Sequence, residues 1–424
     1  MKRLFLLLTA FLMLFEASAE EKKEIVKTGL NFGPLPIIAF DQDKGLEYGA
    51  ILNIFNFGDG STYPNPKSQW YFEAAFYTKG SQIFRITYDD RTLIPGVRMS
   101  AAIDISNDKA LDFYGFNGYQ SYYDSSLPSG YYRMGRVLPY AKVDFTGKIA
   151  KNLYWKAGYH FKYFKIKSFE SESLKPVMGY NTFFDLYKGL GLISEEDADG
   201  GVTSAVRVGI MYDSRDVENA PTKGIWAEAN AEYAPKFLGT SKDYLKYHVC
   251  ARGYLPLFHK KLILAGRTTL EGFAGTPAFY ALPFDLGTGT QFDRDGFGGY
   301  RTIRGMIRNR LVAKSVFYWN AEARWSFVNF QWIKQNFALC LSGFCDGGST
   351  VEEYPITGLM PFHAGPVYKD AKDGFHFTAG GGFRLIMNHN FIIAVEYGHP
   401  INRKELMLQD NMGGSFYVNT GFLF

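Results

Sequence analysis

Cysteine and histidine are scarce in this 424-residue chain. The three cysteines, Cys250, Cys340 and Cys345, are odd in number and lack paired spacing, so no disulfide framework is expected. Cys340 and Cys345 fall on one expected strand, where their side chains would point to opposite faces about 16 Å apart, too far to bridge. The seven histidines are His160, His248, His259, His363, His376, His389 and His399. None stands at a metal-ligand spacing or at a fixed spacing from an aspartate, and no G-x-S-x-G occurs. Neither a metal, a cofactor nor an enzyme is therefore expected. An excess of one charge is also missing. The formal net charge is +4, and losing Lys2, Arg3 and Glu16 with an N-terminal leader would lower it by one. So balanced a chain gives no case for nucleic acid as a partner. Beyond the N-terminus no apolar run approaches the roughly 18 residues of a membrane-spanning helix.

Aromatic residues and glycine are abundant, with 38 Phe, 29 Tyr and 45 Gly. The chain opens MKRLFLLLTAFLMLFEASAEE. Lys2 and Arg3 precede an apolar core from Leu4 to Phe15, and Ala17-Ser18-Ala19 fits small-residue cleavage, so residues 1–19 read as a secretory signal peptide. From about residue 34 the sequence alternates. Trp70, Phe72, Ala74 and Phe76 oppose Tyr71, Glu73, Ala75 and Tyr77. Leu153, Trp155, Ala157, Tyr159 and Phe161 oppose Tyr154, Lys156, Gly158, His160 and Lys162. A soluble sandwich would alternate too. Here, however, one face is rich in Trp, Phe and Tyr, while the other carries Lys, Arg and Glu at mid-strand. That is the pattern of a membrane barrel with lipid outside and a polar lumen inside. By this reading His160 is a water-exposed lumenal residue.

Sixteen strands are expected: 34–42, 45–57, 68–79, 81–90, 96–106, 130–147, 151–167, 202–214, 223–235, 243–257, 260–273, 313–328, 335–346, 374–387, 390–400 and 414–424. Short connections alternate with long ones, including 107–129, 168–201, 274–312 and 347–373, as in outer-membrane barrels. The expected fold is all-β: a 16-stranded antiparallel transmembrane β-barrel over residues 34–424, after a short periplasmic segment, 20–33. The chain ends GSFYVNTGFLF, where alternation puts Phe416, Val418, Phe422 and Phe424 on one face. A terminal Phe on such a strand looks like an outer-membrane insertion signal. The expected location is the outer membrane of a Gram-negative-type cell, with its lipid around the apolar face.

One stretch poses a problem of charge. In FGGYRTIRGMIRNRLVAKSVFYWNAEARWSF, a basic loop with Arg301, Arg304, Arg308 and Arg310 precedes a strand with Phe317, Trp319, Trp325 and Phe327 on one face. If the loop folds into the lumen, Arg304 can pair with inward acids. Glu322 is one. Asp346 is another, sharing a face with Cys340, Ser342 and Phe344.

These residues carry a resemblance. Ile303-Arg304-Gly305-Met306 resembles the [VIL]-R-G-[FY] motif in the sixth loop of the BamA/TamA-type assembly and translocation barrels, the bacterial surface antigen family. Met306 stands where that family has an aromatic. Phe344, Asp346 and Gly348 are similar to its F-x-D-x-G motif, and Asn320, Glu322 and Arg324 to its N-x-E-x-R strand. Asp213, Arg215, Asp216, Pro221 and Gly224 resemble its D-[ST]-R-D-x4-P-x2-G hairpin, which by itself reads as a strand-end charge cluster with a Pro-Gly turn. Phe113-Tyr114-Gly115-Phe116-Asn117-Gly118 is similar to its F-[FY]-G-x-G-N segment. The resemblance covers essentially the whole chain after the leader. It implies an inward-folded sixth extracellular loop, seated by a latch of Arg304 with Asp346. It also implies a role in outer-membrane protein assembly, insertion or translocation, with unfolded barrels or passengers as clients. The family's periplasmic POTRA repeats have no room between Glu20 and Pro34, so a separate periplasmic or outer-membrane protein partner is expected. The working edge would be the seam between strands 34–42 and 414–424, weakened by Pro34 and Pro36. A structural or accessory barrel and a passive pore remain as alternatives.

Overall fold

The computed structural model describes residues 25–41, 45–172, 174–258, 261–287, 294–356, 373–388, 391–401, 414–420 and 424. Sixteen strands form one antiparallel sheet in chain order. They are β1 (Leu30–Asp41), β2 (Gly45–Asn56), β3 (Ser68–Tyr77), β4 (Gln82–Ile94), β5 (Val97–Asp112) and β6 (Arg133–Ala150). Next come β7 (Leu153–Ser168), β8 (Gly200–Asp213), β9 (Gly224–Ala234), β10 (Tyr244–Leu257) and β11 (Leu262–Ala274). The last five are β12 (Ser315–Trp332), β13 (Gln335–Glu352), β14 (His376–Met387), β15 (Phe391–Pro400) and β16 (Ser415–Thr420). Each corresponds to one expected strand.

Alternation sets the two faces as expected. Trp70, Ile103, Ile105, Val208, Ile210 and Leu341 are exposed on the outer side, whereas Asp104, Arg207, Glu232 and Ser342 are buried on the inner side. The ends of strands depart from expectation where polar or glycine residues read as turns. β5 continues six residues past Ser106, because Asp108 bonds Arg136 of β6 (3.2 Å) and Ala110 and Leu111 are buried. β13 runs through Asp346-Gly347-Gly348. A Cβ at Gly348 would lie 2.6 Å from Ile303 Cδ1 and 2.8 Å from the Phe317 carbonyl, so this glycine makes room for a loop instead of a turn. β1 begins at Leu30, four residues before the expected start at 34. No helix among the described residues is long and apolar enough to cross a membrane.

The sheet curls on itself. Ile25, five residues before β1, bonds Asn336 at the start of β13. Five extended residues reach at most about 18 Å. Along the sheet β1 and β13 are twelve strands apart, which is roughly 58 Å at ~4.8 Å per strand. Past β16 the separation is only four steps, or roughly 19 Å. The contact therefore requires the sheet to curl until its two edges approach each other. Phe424, following β16, likewise touches β10, β11 and β12.

At the long-loop end the connections pack into a cap. The β7–β8 connection holds two helices, α1 (Phe183–Gly189) and α2 (Glu195–Ala198). Thr182 caps α1, accepting from the Asp185 N–H at 3.1 Å while its hydroxyl donates to the Asp185 carboxylate at 2.7 Å. Phe113, Phe116, Phe184, Tyr187, Phe279 and Tyr354 come from four different connections and belong to one buried cluster. Asn117 ties them together. Its side chain accepts from the Tyr354 N–H (2.7 Å) and donates to the Tyr354 carbonyl (3.1 Å), and its N–H donates to the Val312 carbonyl (2.6 Å).

Candidate functional site

The described parts of the connection from β11 to β12, residues 275–287 and 294–314, fold into the lumen. Arg304 is fully buried at its inward end. Its Nε and Nη2 donate to Asp346 at 2.8 and 2.9 Å, and its backbone N–H donates to the same carboxylate at 3.0 Å. Nη1 bridges Glu322 (3.0 Å) and Glu396 (2.8 Å). The guanidinium lies 3.4 Å over the Phe344 ring. Two more buried arginines complete the group. Arg324 donates to Glu322 at 3.0 Å, and Arg384 bonds both Glu322 and Glu396. Three guanidinium groups thus face three carboxylates out of water. Such a set holds only while every member has its partners, because one orphaned charge costs several kcal/mol.

Sequence reasoning brought Arg304, Glu322 and Asp346 together; Arg384 and Glu396 were missed. Each is a lone charge within an apolar strand, Phe383-Arg384-Leu385 and Val395-Glu396-Tyr397. That signal places them inward but says nothing of whom they meet.

The neighbouring residues of the loop are shaped to their seats. Gly305 has φ of 93°, and a Cβ there would lie 2.8 Å from both Gly398 C and His399 N on β15. Glycine is the residue that tolerates both constraints. Its N–H donates to the Tyr417 hydroxyl of β16 at 2.8 Å. Met306 is buried in a cluster with Ile303, Phe297, Leu311 and Tyr318, filling the place expected for an aromatic. Arg310 donates to the carbonyls of Gly118 (2.8 Å) and Ser121 (3.0 Å) in the β5–β6 connection. Arg308 meets Asp112 at 3.1 Å, and Arg301 donates to Tyr300 at 2.7 Å. The basic stretch thus distributes its charge onto carboxylates, carbonyls and a phenol.

The hairpin between β8 and β9 sits at the short-turn end. Arg215 donates to both oxygens of Asp213, at 2.9 and 2.7 Å. Asp216 accepts the N–H groups of Val217, Thr222 and Lys223 at 3.0, 2.9 and 3.2 Å. Burial alone would raise the Asp216 carboxyl, but these bonds and the Thr222 hydroxyl outweigh it and hold it below its ordinary value. Pro221 is buried, and Gly224, at φ 105°, leaves no room for a Cβ against the Ser214 carbonyl. Glu218, which the motif does not include, reaches Arg91 on β4 and Arg98 on β5 (2.7 Å to the latter). The turn is thereby strapped to the β4–β5 hairpin.

The C-terminal residues separate. Phe416 and Val418 face outward from β16, and Phe422 lies outside the described residues. Phe424 is 5% exposed on the inner side, against Tyr254, Ile263 and Ala265. Arg324 Nη2 donates to its carbonyl at 3.0 Å, and the guanidinium groups of Arg324 and Arg267 lie 5.0 and 5.2 Å from its ring. The expected shared face therefore does not extend to Phe424, which lies inside while Phe416 and Val418 face out. His160 also departs from its expected exposure to water. It is buried, 3.0 Å from Asp144 and 3.2 Å from the Tyr140 hydroxyl. Lys156 pairs with Glu228 nearby at 2.6 Å. Among the described residues no group of three or more His, Cys, Asp or Glu could hold a metal ion.

The Omp85 superfamily domain matches residues 69–424. No curated protein matches the chain in sequence. Among solved structures it is similar to BamA from Haemophilus ducreyi lacking POTRA domains 1–3. That likeness has 14% identity and a TM-score of 0.56, over 92% of this chain and 70% of that one. It is also similar to CdiB from Escherichia coli, with 10% identity and a TM-score of 0.59, over 93% of this chain and 63% of that one. At such identities the likeness is one of fold. With the domain match spanning most of the sixteen-stranded sheet, the chain belongs to the Omp85 superfamily and is an outer-membrane β-barrel.

Proposed function

We propose that this barrel works in the assembly or translocation of outer-membrane proteins. In this reading the seam between β1 and β16 is the working edge, and a separate periplasmic protein delivers the clients. The leader expected at residues 1–19 would bring the chain itself to the periplasm. The observation that carries the reading is the state of the two edge strands. Ile38 on β1 is 77% exposed, and Phe416 and Val418 on β16 are 77% and 74% exposed. Phe383 on β14 and Val395 on β15 also face outward, yet are 40% and 43% exposed. The edge side chains thus lack a flanking neighbour that ordinary wall strands have.

Proline adds to this weakness. β1 pairs with β2 without a break from Leu30 to Asp41, including Pro34 and Pro36. A proline cannot sit in a pair that exchanges both bonds, so these two occupy the other kind of pair. Their missing N–H positions then face the seam. Two features lie on the other route, through the lumen: the aromatic cluster of the extracellular connections and the sixth loop, seated by Arg304 on Asp346. Both features weigh against a passive pore.

Photocrosslinking in living cells tests the proposal. A photoreactive residue replaces Ile38 and, separately, Val418, and the adducts are identified by mass spectrometry. Adducts to other barrel proteins or to a nascent passenger are expected. Adducts confined to β1–β16 and lipid would overturn it and leave an accessory barrel.

A further inference from the structure

Residues 25–29 precede β1 and lie at the periplasmic end. The Ile25 N–H donates to Asn336 Oδ1 at 3.1 Å, and the Ile25 carbonyl accepts from Asn336 Nδ2 at 3.0 Å. One side-chain amide therefore satisfies both backbone groups of one residue. Lys27 Nζ donates to the Lys334 carbonyl in the β12–β13 turn at 2.5 Å. Asn336 is itself fixed. Its N–H donates to Asn388 Oδ1 (3.0 Å), its carbonyl accepts the Asn388 N–H (2.9 Å), and its Oδ1 also accepts from Gln331 (3.1 Å). Around the curled sheet β14, β15 and β16 stand between β13 and β1. The segment therefore crosses the periplasmic end of the seam and ties its β1 side to the far side of β16.

We propose that Ile25–Thr28 is a latch across the seam. While Asn336 holds Ile25, β1 cannot swing away from β16 at its periplasmic end; release of Ile25 is the step that frees it. The clamp reads backbone only, so it depends on the Ile25 N–H and carbonyl and not on the Ile25 side chain. It contains no charged pair, and its bonds are of the kind that exchange readily with water or with another extended segment. A device that must open repeatedly is better built from these than from a buried ion pair. The latch rests on the reading of the seam as the working edge.

Hydrogen exchange of the full chain in lipid nanodiscs, read by mass spectrometry, tests it. In Asn336→Ala the β1 amides are expected to exchange about tenfold faster, as loss of both bonds to Ile25 implies, and in Ile25→Pro, which loses only the N–H bond, about threefold faster. Asn336→Asp keeps the acceptor and loses the donor, so it should fall between. Ile25→Ala should match the wild type. Strands β5–β10 should be unchanged in all four, which separates a local latch from general loosening. Unchanged β1 exchange in both Asn336→Ala and Ile25→Pro overturns the proposal, as does equal acceleration in β5–β10. This outcome is independent of client capture. If β1 loosens but Ile38 captures no client, the assembly reading fails and the latch stands. If Ile38 captures clients while β1 exchange is unmoved, the latch alone fails.

Discussion

The wall from β12 to β15 and the seam between β1 and β16 are neighbours in one sheet, yet they are held by opposite means. The wall is bound to its loop by three arginines and three carboxylates, all buried, with Arg304 alone touching three acids. The seam is spanned at its periplasmic end by an asparagine amide and a lysine–carbonyl bond. Buried ion networks fail badly when one member is lost, because the survivors keep their charge without a partner. Hydrogen bonds near water that include no ion pair fail gently, since water replaces either partner. The contrast teaches that buried charge holds the loop, whereas bonds open to exchange hold the edge.

The largest expected effect breaks the rigid side. Arg304→Ala strips Asp346 of its guanidinium, while Arg324 and Arg384 still meet Glu322 and Glu396, and should cost roughly 3–5 kcal/mol. The barrel should still form, because the ladders of β12–β15 do not pass through this side chain. Urea unfolding measures the cost, and limited proteolysis should show new cleavage within 275–314. Arg304→Lys should recover little, since a single ammonium cannot reproduce the fork that meets three acids. Full protection of the loop in Arg304→Ala would remove the contrast.

A smaller effect joins the two regions. The Tyr417 hydroxyl on β16 accepts the Gly305 N–H, so the latch loop and the seam share one hydrogen bond. Tyr417→Phe should cost about 1 kcal/mol. It should speed exchange of β16 amides while loop cleavage stays near wild type. If loop and strand loosen equally, the two regions are one unit.

The smallest effect uses acid. Burial by itself would raise the Glu218 carboxyl, but Arg98, Arg91 and Arg215 outweigh it and hold it well below the ordinary glutamate range. A carboxyl depressed by folding contributes stability that is present above its unfolded value, about 4.3, and lost as pH falls through its folded value. The turn 214–223 should therefore loosen in acid below about pH 4, as read by proteolysis or exchange. The amide clamp at Asn336 carries no group that titrates there, so the N-terminal latch should keep its protection. Loss of both together would contradict the division between charge-held and neutral elements.

Much of the fold is legible in the chain because strand alternation is local. Trp155 and Lys156 go to opposite faces by the pleat alone, whatever lies elsewhere. Errors fell where a residue type has two uses. Asp108 and Gly347-Gly348 suggest turns, but in the structure they supply a partner for Arg136 and space for Ile303 and Trp319. In the candidate site, Arg304, Glu322 and Asp346 were readable through motif resemblance and face. Arg384, Glu396 and Glu218 were visible only as inward or turn charges without addresses.

The amino-acid sequence by itself determined the sixteen strands and their faces, since each follows from side-chain direction over a few residues; the inward course of the basic loop was implied only by the motif resemblance. Only the tertiary structure decided that Glu396 joins Asp346 and Glu322 around Arg304, that Phe424 lies inside, and that Ile25 reaches Asn336. Those contacts join residues far apart in the chain and exist only once the sheet has curled and its connections have packed.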